Sequence, residues 1–177
     1  MIENHYKLNC EQMSDINEHL PTLFGYAKEC ESIIEMGVRG VVSTWALLMS
    51  RPKKMESWDI NFDSGMKTAL DEAYKENIDF KFIIADTTKA TSNEVDLLFI
   101  DTKHNYEQLK IELNLHGKNT KKYIIFHDTV TFGYRDEFGD GKGLMPAIRE
   151  FIKENPYWII KEHYLNNNGL LILEKSV

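Results

Sequence analysis

The sequence predicts an α/β protein of Rossmann-like, doubly wound architecture, with a mostly parallel sheet closed by a C-terminal antiparallel hairpin. Three observations predict it. Short apolar runs alternate with helical patterns through most of the chain, several runs end on an acid, and a turn-rich Asn-Asn-Asn-Gly separates the last two. Strands alternating with helices argue a parallel sheet with right-handed crossovers, and two strands joined by a tight turn argue a hairpin.

Residues 11–29 read as an N-terminal helical segment, with Leu20, Leu23, Phe24 and Ala27 at helical spacing and Pro21 opening a new helix. Ile33-Ile34-Glu35 is the first strand, and a turn bearing Gly37 and Gly40 follows. Without side chains there, backbone N–H groups can approach a ligand closely. Ser43 and Thr44 then open a helix that runs to about Met49, and Arg51-Pro52 ends it. The spacing is neither the Gly-x-Gly-x-x-Gly of dinucleotide folds nor the Gly-Lys-Ser/Thr of a P-loop.

The second strand, around residues 55–60, carries Asp59, and a helix from about Ser64 to Asn77 puts Met66, Leu70, Ala73 and Tyr74 on one face. Residues 80–85 form a third strand tipped by Asp86, and residues 95–100 a fourth tipped by Asp101. A helix spans 106–116, and strand 123–126 ends in His127-Asp128. The polar, glycine-rich stretch 129–143 is read either as a lid over the strand ends or as a disordered connection. Helix 144–154 and two strands, near 158–160 and 170–173, complete the chain.

A length of 177 residues fits one domain, with an N-terminal helical segment over 1–30 and an α/β core over 31–177. The net charge of −7 and the scattered basic residues argue against a nucleic-acid partner. No apolar run approaches the ~20 residues that span a bilayer, and the N-terminus lacks the pattern of a secretory signal. A cytoplasmic protein without membrane attachment is expected, with Cys10 and Cys30 as free thiols.

In open sheets of this kind ligands bind beyond the carboxyl ends of the strands, where the named acids lie. Asp101 and His127-Asp128 end strands expected to be neighbours, which would bring oxygen and imidazole ligands to one point. Such a set suits a divalent cation, Mg²⁺ or Mn²⁺, with the histidine favouring Mn²⁺, Fe²⁺ or Zn²⁺.

Three passages carry a family resemblance: Glu35-Met-Gly-Val-Arg-Gly-Val-Val-Ser-Thr44, Phe99-Ile-Asp-Thr-Lys-His-Asn-Tyr-Glu107 and Phe126-His-Asp-Thr129. Over roughly residues 30–175 the chain resembles class I S-adenosylmethionine-dependent methyltransferases, and among them the macrocin-type and cephalosporin-hydroxylase-like O-methyltransferases. It departs from the family's Glu-x-Gly-x-x-x-Gly-x-Ser/Thr pattern at one place, where Val41 stands at the second glycine. Glu35, Gly37 and Ser43 keep their relative places, so cofactor binding is still expected.

The resemblance implies S-adenosylmethionine as cofactor. Glu35, directly or through water, and the backbone at Gly37 would face its ammonium group, Asp59 its ribose, and Asp86 with Thr87 its adenine; Gly40, Ser43 and Thr44 would complete the turn. It also implies Mg²⁺ at Asp101, His127 and Asp128, lowering the pKa of an attacking hydroxyl, and His104 as general base. Lys103 is a second candidate base. The expected activity is methyl transfer to a hydroxyl of a sugar, glycan precursor or similar small metabolite, with a non-catalytic cofactor-binding module as the alternative. A chain this short leaves little to cover the site, so a homo-oligomer is also expected.

Overall fold

Residues 1–176 are described by the computed structural model. Strands β1 (Ser32–Met36), β2 (Lys54–Asp59), β3 (Asp79–Ile84), β4 (Val95–Ile100), β5 (Thr120–His127), β6 (Trp158–Tyr164) and β7 (Leu170–Lys175) form one sheet, in the order β3-β2-β1-β4-β5-β7-β6. The first five strands run parallel, and β7 lies antiparallel between β5 and β6. The expected doubly wound sheet with a closing hairpin is what the chain forms. Its strand order reverses between β1 and β4.

Six helices flank it: α1 (Ile2–Glu11), α2 (Leu20–Ala27), α3 (Val42–Met49), α4 (Gly65–Lys75), α5 (Tyr106–His116) and α6 (Leu144–Glu154). Side chains alternate across each strand, so successive residues feed different cores. Ile33, Met55, Leu97, Phe99, Ile125 and Ile172 pack with helices α1 to α4 on one face. Ile34, Met36, Leu98, Ile100, Ile124 and Phe126 pack with α5 and α6 on the other. Helix α6 shows why it docks there: Leu144, Ala147, Ile148 and Phe151 recur at helical spacing and are all buried.

Helix α2 opens at Leu20–Pro21 as expected, but the start of the N-terminal segment differs from the helical reading of residues 11–29. Helix α1 begins at Ile2, whose side chain is fully buried, and residues 12–16 form a loop before a short 3-10 turn at Asn17–His19. That loop is held by long-range polar contacts that a helix could not offer. Asn167 donates to the Ser14 carbonyl, and Asn167 Oδ1 accepts from the Glu18 N–H. These contacts tie the loop to the β6–β7 turn at the edge of the site. No helix among the described residues is long and apolar enough to cross a membrane.

Candidate functional site

The carboxyl ends of β1, β2, β3 and β4 open on one cavity of about 460 Å³, at the point where strand order reverses. Gly37, Val38, Asp59, Asp86, Asp101 and His104 are among its walls. Its mouth carries Arg39, which pairs with Asp15, and Glu137 from the loop after β5.

The turn after β1 is braced from two sides. Asp101 N–H donates to the Met36 carbonyl at 2.8 Å, and Gly37 N–H to the Trp58 carbonyl at 2.9 Å. The Asp59 carboxylate then takes Val38 N–H at 2.8 Å and Asn61 N–H at 2.9 Å. Asp59 therefore shapes the turn as well as facing the cavity. Val41 follows with φ +60°, a left-handed conformation that a glycine adopts without cost and a β-branched residue does not.

Glu35 is placed differently from the expectation. It shares the β1 face of Ile33, so period-two alternation turns it under the first turn of α3 and away from the cavity. It is fully buried, and its carboxyl accepts from Ser43 Oγ at 2.6 Å, Thr44 Oγ1 at 2.8 Å and Ser57 Oγ at 2.5 Å. Burial pushes its pKa up to about 7, against the pull of those hydroxyls. Glu35 fastens β1 and β2 to α3, and its carboxyl does not line the cavity it was expected to face. Thr44 and Gly40 lie off the cavity too, and Ser43 lines it with a hydroxyl already given to Glu35.

Asp86 and Thr87 both line the cavity. Lys89, first, and then Thr88 hold the Asp86 carboxyl below its usual range. Thr87 Oγ1 donates to Glu112 Oε1 at 2.5 Å, and Glu112 also accepts from Thr102 Oγ1 and Gln108 Nε2, both at 2.9 Å. Glu112 is fully buried on α5 and ties the loop after β3 to the loop after β4. Sequence reading missed it. The signal was an acid within the stripe Leu109, Glu112, Leu113, His116, all on the buried side of the helix.

Beyond β4 and β5 lies an acid–imidazole cluster. Asp101, His104 and Asp128 each offer one ligand atom within 4.8 Å of the others. His104 Nε2 lies 2.9 Å from Asp128 Oδ2 and 3.4 Å from Asp101 Oδ1. Its Nδ1 faces Glu137 Oε2 at 3.4 Å, and its ring stacks on Phe132 with centroids 4.7 Å apart. Burial opposes a charge on this ring, but Asp101 and Asp128 outweigh it and raise the pKa to about 9.

His127, expected as the third ligand, lies outside that triad. It is buried beneath the N-terminal loop, with Nε2 at 3.0 Å from the Asp15 carbonyl and 3.2 Å from that of Asn167. Two carbonyls there require a proton on Nε2. Its Nδ1 sits 3.3 Å from Asp128 Oδ2 and 3.5 Å from Asp101 Oδ2 without a well-formed hydrogen bond. Burial opposes its charge, yet those carboxylates push its pKa up to about 10. Conversely, burial would raise both carboxyls, and the two imidazoles hold them low.

The residues fit a divalent cation. Two carboxylates and an imidazole converge, and the buried Asp128 Oδ1 has no partner of its own. Asp128 reaches the cluster through a left-handed backbone, φ +59°. Lys103 lines the cavity with its ammonium 5.2 Å from the Phe138 ring centroid.

The loop over residues 129–143 is a built cap. Asp136 Oδ1 accepts from the N–H groups of Phe138 and Gly139, Arg135 bridges to Lys142, and the Lys142 carbonyl accepts from Tyr106 N–H.

No protein-family model and no curated protein sequence matches the chain. Solved structures do. An O-methyltransferase from Bacillus cereus in complex with S-adenosylhomocysteine superimposes with a TM-score of 0.68 at 14% identity, covering 99% of this chain and 90% of that one. The N-methyltransferase NodS from Bradyrhizobium japonicum, bound to S-adenosylhomocysteine, gives 0.67 at 12% identity over 92% and 88% of the two chains. An S-adenosylhomocysteine-bound methyltransferase from Podospora anserina gives 0.62 at 14% identity over 99% and 88%. The fold of this chain is that of the class I methyltransferases.

Proposed function

We propose that the protein is an S-adenosylmethionine-dependent methyltransferase acting on a hydroxyl of a small acceptor such as a sugar, with a divalent cation at Asp101, His104 and Asp128. The observation that carries this reading is the continuity of one cavity, from the braced turn after β1 past Asp59 to the acid–imidazole cluster at the ends of β4 and β5. A cofactor carrying a sulfonium and an ammonium group suits walls that offer Asp59, Asp86 and Asp101.

The turn at Gly37 and Val38 receives the amino-acid end of the cofactor, Asp59 the ribose hydroxyls, and Asp86 with the backbone at Thr87 the adenine edge. The cation, when bound, lowers the pKa of the acceptor hydroxyl and fixes its oxygen. Both His104 nitrogens face carboxylates, so neither is turned to an acceptor while the loop is closed. Lys103 lines the same wall as an ammonium, with no lone pair for that proton, so the hydroxyl proton passes to solvent. Holding hydroxyl and methyl donor in line supplies much of the rate.

Calorimetric titration with S-adenosylmethionine, S-adenosylhomocysteine and NADH tests the cofactor. Binding of the first two but not NADH, weakened by Asp59→Ala, supports the reading and justifies an acceptor screen. Failure of both sulfur cofactors to bind ends it.

A further inference from the structure

We infer that Glu137 is a positioning residue for the cation site: it holds His104 from the side opposite the carboxylates, so that closure of the loop over residues 129–143 and cation binding are coupled. The inference rests on the cation site proposed above. It adds a role for a residue that belongs neither to the triad nor to any sequence motif.

The imidazole lies between carboxylates on both sides. Nε2 is hydrogen-bonded to Asp101 Oδ1 at 3.4 Å and lies 2.9 Å from Asp128 Oδ2, and Nδ1 lies 3.4 Å from Glu137 Oε2. When a cation takes the Nε2 lone pair, the ring keeps one proton, which must sit on Nδ1. Glu137 is the acceptor facing that proton. A ligating histidine whose other nitrogen donates to a carboxylate is a fixed and more basic ligand.

The loop is built to deliver this carboxylate. Phe132, at its start, lies flat on the His104 ring with an interplanar angle of 13°. Phe138, next to Glu137, sits over the ammonium of Lys103. Asp136, just before Glu137, folds the tip through the N–H groups of Phe138 and Gly139. Three loop side chains thus grip residues 103 and 104, and only Glu137 supplies charge.

The test uses Mn²⁺ as probe, titrated by calorimetry into the wild type, Glu137→Ala and Glu137→Gln at pH 7.5. Glu137→Ala should weaken Mn²⁺ binding by about tenfold or more. Glu137→Gln should lose less, because its amide oxygen still accepts from Nδ1. In a His104→Ala background, Glu137→Ala should change nothing further. Mn²⁺ should also slow tryptic cleavage after Arg135 in the wild type but not in Glu137→Ala.

Equal Mn²⁺ affinity in the wild type and Glu137→Ala overturns the inference, and so does a wild type that binds no Mn²⁺. Metal-free titration of the wild type with S-adenosylhomocysteine separates the two readings. If that ligand binds while Mn²⁺ does not, the present inference falls together with the cation site it rests on and the methyltransferase reading stands; if Mn²⁺ binding depends on Glu137 while S-adenosylhomocysteine fails to bind, only the methyltransferase reading falls.

Discussion

A Cβ at Gly37 would fall 1.9 Å from the carbonyl oxygen of Asp101, so the turn after β1 and the end of β4 are built against each other. The first glycine of the turn thus serves the sheet as well as any ligand. Gly37→Ala also forces an alanine to φ +87°. It should destabilise the fold by more than about 3 kcal/mol, or roughly 10 °C in Tm. Thermal unfolding checks this, and a loss below about 3 °C would show that the end of β4 can move aside.

Val41 sets two effects against each other. It is buried in the core beside Gly65 and yet sits at φ +60°. Removing the side chain loses about 2 kcal/mol of burial, whereas glycine recovers about 1 to 2 kcal/mol of backbone strain. Val41→Ala loses the burial and keeps much of the strain. Urea denaturation should therefore rank Val41→Gly above Val41→Ala by about 1 kcal/mol, the reverse of the usual order. The ordinary order would mean that this turn is not strained.

Most strands and helices were legible because their apolar periods are clean, and the acids at the tips of β2, β3 and β4 line the cavity as read. Glu35 was misplaced because a position at the end of a strand says nothing about which face the side chain takes. Counting alternation from Ile33 would have turned it towards α3. The exchange of His104 for His127 had no such remedy, since it depends on the left-handed backbone at Asp128 and on carbonyls of Asp15 and Asn167, which are remote in sequence. The same long-range contacts broke the expected N-terminal helical stretch at residues 12–16. Glu137 was invisible because it acts through the folded tip of a loop.

Glu35 makes stability depend on pH. Its folded pKa of about 7 lies above the ordinary 4.5, so between those values the folded state binds more protons than the unfolded one. Stability from this group therefore falls as pH rises through that window, by roughly 3 kcal/mol as an order of magnitude, and is flat above it. Glu35→Gln removes the titration. Chemical denaturation at pH 5 and pH 8 should show the variant gaining on the wild type at the higher pH. A constant difference at the two pH values would mean that Glu35 does not titrate there.

The contact between His104 and Asp128 makes cation binding compete with a proton. With the His104 pKa raised to about 9, the ring is charged at neutral pH, and a cation on Nε2 must displace that proton. Mn²⁺ affinity should then rise about tenfold per pH unit up to about pH 9 and level off above it. Calorimetry in buffers of different ionisation enthalpy should find about one proton released per ion at pH 7.

Without the cation the sign for stability is the opposite. The raised pKa values of His104 and His127 contribute stability that is complete below about 6.5 and lost as pH rises through about 9 and about 10. Asp128→Asn removes one of the two carboxylates that both imidazoles face and should cost about 3 kcal/mol at pH 6, with the deficit narrowing towards pH 10. An equal deficit at the two pH values would mean that Asp128 acts through packing, and that the imidazolium charge does not hold this corner of the site.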